Sequence, residues 1–228
     1  MKNKRKYDVI IFDIDETLVE SDYTNIDRFK RFFINNKIKL EDTEKIKKQL
    51  FEFIMTFEQK FQNIYVTNDK ILDSFSKCCS FISEYNLDTN KVFDEVMDSA
   101  VYVCHMINGA DKLLENLKQK GYVIVALTNW LYDIQVKKLK KAGLDKYFSE
   151  FYCIDNSYLK PSKYSFNRIL SKYKCNDCIM IGDTYEYDII GAKNVGIDSI
   201  WYNVKNIKVE NNVADYEVNN YNEISCIL

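Results

Sequence analysis

Asp8-Val9-Ile10-Ile11-Phe12-Asp13-Ile14-Asp15 is an apolar run closed by two carboxylates. Its apolar residues are continuous instead of alternating with polar ones, the pattern of a strand covered on both faces, as strands of parallel sheets are. This strand stands alone near the start of the chain. From about Tyr23 to Cys104 the apolar spacing turns helical, and strand-like runs return only beyond Gly109. The simplest topology lets the first strand join the later sheet, with a helical block inserted between them.

The block carries four amphipathic patterns: Phe29, Phe32 and Phe33; Ile46, Leu50, Phe53, Ile54, Phe57 and Phe61; Ile71, Leu72, Phe75, Cys79 and Ile82; and Val92, Phe93, Val96, Ala100 and Val101. Each keeps an apolar stripe at three- and four-residue steps. The joints Asn35-Asn36, Thr67-Asn68-Asp69 and Leu87-Asp88-Thr89-Asn90 separate them with residue types that cap helix starts. Beyond Gly109, the runs Tyr122-Val123-Ile124-Val125-Ala126-Leu127, Phe151-Tyr152-Cys153-Ile154, Cys178-Ile179-Met180-Ile181 and Ser199-Ile200-Trp201-Tyr202 predict strands between helices. Tyr216-Glu217-Val218 predicts one last short strand. Gly121 and Gly143 fall where helices end, as left-handed caps require.

Composition narrows the class. The 228 residues hold 32 Lys+Arg against 34 Asp+Glu, a formal net charge of −2, so the basic surplus that nucleic-acid binding needs is missing. Seventeen Tyr, 14 Phe and two Trp supply a substantial core. No stretch has the roughly 18 apolar residues of a membrane span, and the amino terminus has no apolar signal core, so a cytoplasmic protein is expected. The seven cysteines accordingly read as reduced thiols. Cys175 and Cys178 form a spaced pair, but a zinc site needs further ligands and the chain has a single His.

In an open parallel sheet, sites form beyond the carboxyl ends of the strands. The residues there are Asp13, Thr128, Asp155 and Asp183. Asp13 and Asp15 are alternate residues of an extended segment and point the same way, an arrangement that is costly without a cation. Asp183 supplies a third carboxylate, and such an oxygen cluster at a phosphate-handling site suits Mg²⁺.

In order, Asp13-Ile14-Asp15-Glu16-Thr17, Thr128-Asn129, Lys160-Pro161 and Gly182-Asp183-Thr184-Tyr185-Glu186-Tyr187-Asp188 resemble the four motifs of the haloacid dehalogenase-like hydrolase superfamily. The resemblance spans nearly the whole chain. It implies an α/β fold, a Rossmann-like doubly wound parallel sheet of order 3-2-1-4-5 with an inserted helical-bundle cap domain. The spacing is similar to the subgroup whose cap follows the first motif, which implies a catalytic core of residues 1–18 and 108–228 and a cap of residues 19–107. Asp-Glu-Thr in motif one, with Gly182-Asp183-Thr184, Asp188-Ile189, Gly191 and Asn194-Val195-Gly196, is similar to a branch that includes nucleoside 5′-monophosphate phosphatases.

The resemblance also implies roles. Asp13 is the expected nucleophile, forming an aspartyl-phosphate, and Asp15 the acid that protonates the leaving oxygen and then the base for water. Thr128 and Asn129 are expected to bind the phosphoryl group, and Lys160 to offset its charge. Mg²⁺ is expected on Asp13, Asp183 and the backbone carbonyl of Asp15. Asp188 is either an outer ligand through water or the partner that orients Lys160. Trp130, where the family usually has a small residue, either narrows the site and stacks on the substrate or packs under the cap. Glu16, at a position often held by glycine, faces the cap or the substrate. His105 reads as a packed or hinge residue near the return from the cap.

The function expected is a Mg²⁺-dependent phosphomonoesterase, monomeric and without nucleic-acid or membrane partners, acting on a small phosphorylated metabolite such as a nucleoside 5′-monophosphate. Two other readings share these residues. A phosphomutase of the same superfamily would isomerise the substrate without releasing phosphate. A phosphoaspartate signalling domain would also place acids, a Thr and a Lys at strand ends, although Asp15 would shorten the life of its phosphoaspartate.

Overall fold

The computed structural model describes residues 5–21 and 27–228, with only the backbone of residues 27–29. The start of the helical reading at Tyr23 and the side chain of Phe29 lie outside the described residues. The first strand is β1 (Val9–Phe12), all four residues buried. It is followed by β2 (Val19–Ser21), α1 (Asp27–Asn35), α2 (Thr43–Phe61), α3 (Asn68–Cys78), the single turn α4 (Phe81–Glu84), α5 (Thr89–Val103) and β3 (Cys104–Met106). Thereafter helices and strands alternate: α6 (Ala110–Gln119), β4 (Val123–Leu127), α7 (Tyr132–Ala142), β5 (Glu150–Tyr152), α8 (Lys163–Leu170), β6 (Cys178–Gly182), α9 (Ile190–Lys193), β7 (Asp198–Tyr202), β8 (Tyr216–Val218) and α10 (Tyr221–Ile227).

Six strands form one parallel sheet in the order β5-β4-β1-β6-β7-β8. That is the expected 3-2-1-4-5 with β8 added as a sixth strand beyond β7. β1 is central, pairing Phe12 with Ala126 on one side and with Ile181 on the other. Alternate residues of the strands feed two cores. Ile10, Phe12, Ile124, Ala126, Ile179 and Ile181 pack against Leu113, Leu114 and Leu117 of α6 and Ile224 of α10. Val9, Ile11, Val125, Leu127, Cys178 and Met180 pack on the opposite face against Phe166 and Ile169 of α8 and Ala192 of α9. The continuous apolar runs thus have both faces covered, the condition their composition implied.

The inserted helices have a core of their own. Phe53, Phe57, Phe75 and Phe81 are fully buried, and Phe75 sits edge-on to both Phe53 and Phe93, with ring centroids 5.0 and 5.2 Å apart. Each such ring contributes roughly 1.5–3 kcal/mol by leaving water. Two of the three polar joints cap helices as the sequence suggested: the Thr67 side chain caps α3 at the Lys70 N–H, and Asp88 caps α5 at the Lys91 N–H, whereas Asn35-Asn36 only ends α1 and its successor α2 starts at Thr43 without a side-chain cap. Gly121 and Gly143 have φ of 82° and 71°, the left-handed values a glycine adopts without strain.

The chain leaves for and returns from the helices through an antiparallel pair, β2 with β3, which the sequence did not announce. Three residues are too few for a periodicity, and partners 85 positions apart carry no local signal. His105 lies on β3 opposite Glu20, its Nε2 3.0 Å from Glu20 Oε1; it is exposed, so it marks this hinge-like pairing and is not a packed residue. None of the described helices is long and apolar enough to cross a membrane.

Candidate functional site

Because β1, β4 and β6 pair in register, the residues that follow them emerge side by side. Asp13 follows β1 and continues its ladder, donating its N–H to Ile181 O at 2.9 Å; Thr128 follows β4 and donates to Tyr152 O at 3.1 Å; Asp183 follows β6. The chain fills the sheet on one side of β1 with β4 and β5 and then crosses to its other side at β6, so a crevice opens at this point. Asp188 comes in from a single π-helical turn, Tyr185–Ile189, ahead of α9.

Lys160, on the loop before α8 and preceding a cis Pro161, is buried between two carboxylates. Its Nζ lies 2.6 Å from Asp13 Oδ1 and 2.6 Å from Asp188 Oδ1. The other Asp188 oxygen accepts the Thr184 N–H at 3.0 Å. Gly182 makes room for this: a Cβ there would land on the Asp188 carboxylate. Asp13 Oδ2 faces Thr17 Oγ1 at 3.4 Å, and the Asp183 carbonyl accepts from Trp201 Nε1 at 2.9 Å.

Charge in the cluster is unbalanced. One oxygen each of Asp13, Asp183 and Asp188 falls within 4.8 Å of the others. Burial raises the pKa of Asp13 and Asp188, and although Lys160 opposes this, the neighbouring carboxylates add to it. Asp183 is pushed up to about 7 by burial and by Asp13. Burial works against the Lys160 ammonium, but its two carboxylates more than compensate and hold it charged. Three carboxylates against one ammonium leave 3 − 1 = 2 negative charges in an all-oxygen donor set, which fits a hard divalent cation.

Asp15 turns to other partners. Its Oδ1 is 2.6 Å from Lys138 Nζ and its Oδ2 accepts from Gln135 Nε2 at 2.8 Å. The same Gln135 nitrogen reaches Thr128 Oγ1 at 2.5 Å, linking the acid to the threonine, while Gln135 Oε1 is buried without a donor among the described residues. Asn129 is tied to the Lys160 loop twice, accepting from Lys160 N at 2.6 Å and donating to Lys160 O at 3.1 Å. Its amide nitrogen also donates to Glu58 Oε1, 3.0 Å away on α2.

Asp13, Asp15, Thr128, Lys160 and Asp183 line a cavity of about 280 Å³ between the sheet and the helices, together with Glu16, Glu58, Trp130 and Tyr187, while Asp188 and Gln135 stand behind that lining. Glu16 has a φ of 58°, which explains why glycine suits the position, and its carboxylate is 3.9 Å from Lys205 Nζ. Trp130 lines the cavity and packs edge-on against Phe57 of α2, centroids 4.5 Å apart. Asp155 is not brought in; it accepts the Tyr132 N–H at the start of α7.

Sequence reasoning missed Gln135, Lys138 and Glu58. The first two carried a signal: with Ile134 and Leu139 they make up the buried stripe of α7, where a lysine is out of place unless paired. Glu58 carried none, since a glutamate beside the stripe of α2 looks like any solvated one.

The family model for haloacid dehalogenase-like hydrolases matches residues 10–202 of the chain. The pyrimidine 5′-nucleotidase YjjG of Escherichia coli is 24% identical, over 98% of each chain. The pyrimidine 5′-nucleotidase PynA of Streptococcus pneumoniae is 31% identical over 52% of each. A magnesium-bound structure of YfnB from Bacillus subtilis superposes with a TM-score of 0.75 over 99% of both chains, at 24% identity. A phosphatase structure from Thermococcus onnurineus gives 0.69 over 96% of each, at 21% identity.

Proposed function

The chain belongs to the haloacid dehalogenase-like hydrolase family, and we propose that within it the protein is a phosphomonoesterase acting through an aspartyl-phosphate. The observation that carries this reading is the Asp13–Lys160–Asp188 arrangement at the carboxyl end of the central strand, with Asp183 alongside. An Asp13 oxygen attacks phosphorus as the bond to the leaving oxygen breaks, and Asp15 supplies the proton that oxygen needs. Water then attacks the phosphoryl group, Asp15 takes its proton, and the Asp13 carboxylate is released with inorganic phosphate. Thr128 and Lys160 hold phosphoryl oxygens, and Asn129 fixes the loop that carries Lys160. Asp188 orients Lys160 through the 2.6 Å ion pair.

Asp13, Asp183 and the backbone carbonyl of Asp15 would hold Mg²⁺, with Asp188 behind them. When bound, the ion neutralises the carboxylate excess and draws charge from the phosphoryl oxygens.

The substrate proposed is a nucleoside 5′-monophosphate, pyrimidine nucleotides foremost. The two nucleotidase relatives support this, as does the aromatic wall of Trp130 and Phe57 beside the carboxylates. Residues 1–18 and 108–228 form the proposed catalytic core and residues 19–107 the cap, a division supported by the β2–β3 pair at its hinge.

Release of phosphate from a panel of monoesters, with and without Mg²⁺, tests the reading. Wild-type protein is expected to turn over p-nitrophenyl phosphate and pyrimidine nucleotides and to lose activity in EDTA, and Asp13→Asn to be inactive yet folded. Isomerised product without phosphate release would make it a mutase. More than a few per cent of activity in Asp13→Asn would remove the nucleophile.

A further inference from the structure

Glu58 reaches the cavity from α2, the only acidic group that the helical insertion contributes to its lining among the described residues. Its neighbours there, Ile54, Met55, Phe57, Met97 and Ala100, are apolar. Its position is fixed from outside the insertion. Asn129 Oδ1 accepts from the Lys160 N–H, so the Asn129 group facing Glu58 is the NH₂, and Glu58 must accept. Tyr187, in the same lining, also favours its ionised form. A carboxylate so placed still has oxygen lone pairs for further donors.

The two cavity lysines are engaged at the reacting end, Lys160 with Asp13 and Asp188 and Lys138 with Asp15. Lys205 is largely exposed and stands against Glu16. The helical insertion therefore contributes an apolar wall and one anion to the lining.

We propose that Glu58 selects the leaving group, accepting hydrogen bonds from an uncharged group that carries N–H or O–H donors and excluding one that carries a second anion. The inference rests on the phosphatase reading and deepens it: nucleosides and neutral polyols are admitted, while carboxylate- or phosphate-bearing esters are refused. An anionic tail would meet Glu58 while the two cavity lysines are engaged by Asp13, Asp188 and Asp15, and a donor-bearing ring would meet both Glu58 and Trp130. Burial raises the Glu58 pKa, a cost that donors from a ligand relieve.

Binding to the turnover-dead Asp13→Asn protein provides the test, with uridine 5′-monophosphate and 2-phosphoglycolate as probes in isothermal titration. The nucleotide is expected to bind at least about tenfold more tightly. Glu58→Gln added to that background should narrow the ratio by about ten- to a hundredfold, the range of a charge-assisted hydrogen bond, weakening the nucleotide and tightening phosphoglycolate. Glu58→Asp, a second variant that keeps the charge but withdraws it, should still refuse phosphoglycolate while weakening the nucleotide. If both ligands weaken by the same factor, Glu58 only clasps the helices to Asn129 and the proposal falls; an unchanged ratio overturns it equally. Turnover of p-nitrophenyl phosphate by the wild-type protein reports separately on the phosphatase reading, because the binding ratio does not depend on catalysis.

Discussion

Lys138 Nζ lies 2.6 Å from Asp15 Oδ1, and the lysine side chain is only 2% exposed. A buried ammonium from α7 therefore fixes the carboxylate proposed to move protons, and Gln135, three residues earlier on the same helix, fixes its second oxygen. Lys138→Met should leave Asp15 without this counter-charge, held only through Gln135. Losing one partner of a fully buried pair costs about 3–5 kcal/mol, and because Asp15 is about a third exposed the expected loss is about 1–3 kcal/mol. In a double-mutant cycle by thermal denaturation, Lys138→Met with Asp15→Asn should cost less than the sum of the two single changes. Strict additivity would mean that the pair contributes nothing.

Asp15→Asn should separate the two proton transfers. An alkyl phosphate needs the acid, so its rate should fall roughly 10²- to 10⁴-fold. A nitrophenolate leaves without that proton, so the aspartyl-phosphate should still form from p-nitrophenyl phosphate and then hydrolyse slowly. Rapid-mixing kinetics should show a burst of nitrophenolate near the enzyme concentration before a slow steady rate. Equal slowing of both substrates with no burst would deny Asp15 both roles.

The carboxylate cluster sets a pH dependence in the metal-free protein. The Asp183 pKa is pushed up to about 7 and those of Asp13 and Asp188 are also raised, against about 3.9 in an unfolded chain. Between these limits the folded state holds protons that the unfolded state has lost, so stability falls as pH rises from about 4 to about 7 and levels off above. Differential scanning fluorimetry in EDTA should show that slope. Saturating Mg²⁺ should flatten it and raise stability near pH 7.5, by about 2.7 kcal/mol at a hundredfold excess over Kd. A Tm in EDTA that climbs with pH across this window would contradict the charge excess.

Gly182→Ala should damage the site from behind. The new Cβ falls on the Asp188 carboxylate, which holds Lys160, so Asp188 must move and the lysine with it. Overpacking of this kind costs about 1–3 kcal/mol, and activity should fall at least about tenfold. Gly143→Ala is the control: its Cβ meets nothing within 4 Å, so only backbone strain at a φ of 71° is expected and turnover should persist. Equal activity in the two variants would refute the Gly182–Asp188 dependence.

The amino-acid pattern established the buried strands and the helices that cover them, because continuous apolar runs such as Val9–Phe12 and helical stripes such as Phe53-Phe57-Phe61 are local periodicities that only one kind of burial satisfies, while the order of five of the strands came from the motif resemblance. It also placed Asp13, Thr128 and Asp183 at strand ends, which can be read from where each run stops, whereas Lys160 and Asp188 were singled out by the motif resemblance. Tertiary structure alone decided which side chains meet. The β2–β3 pair, the reach of Lys138 and Gln135 to Asp15, and the approach of Glu58 to Asn129 join residues from 71 to 123 positions apart. No local pattern encodes such pairs, because their geometry follows from how helices on both sides of the crevice pack: α7, which follows β4, aims its polar pair at Asp15 just after β1, and α2 of the insertion lowers one glutamate onto Asn129, which holds the Lys160 loop.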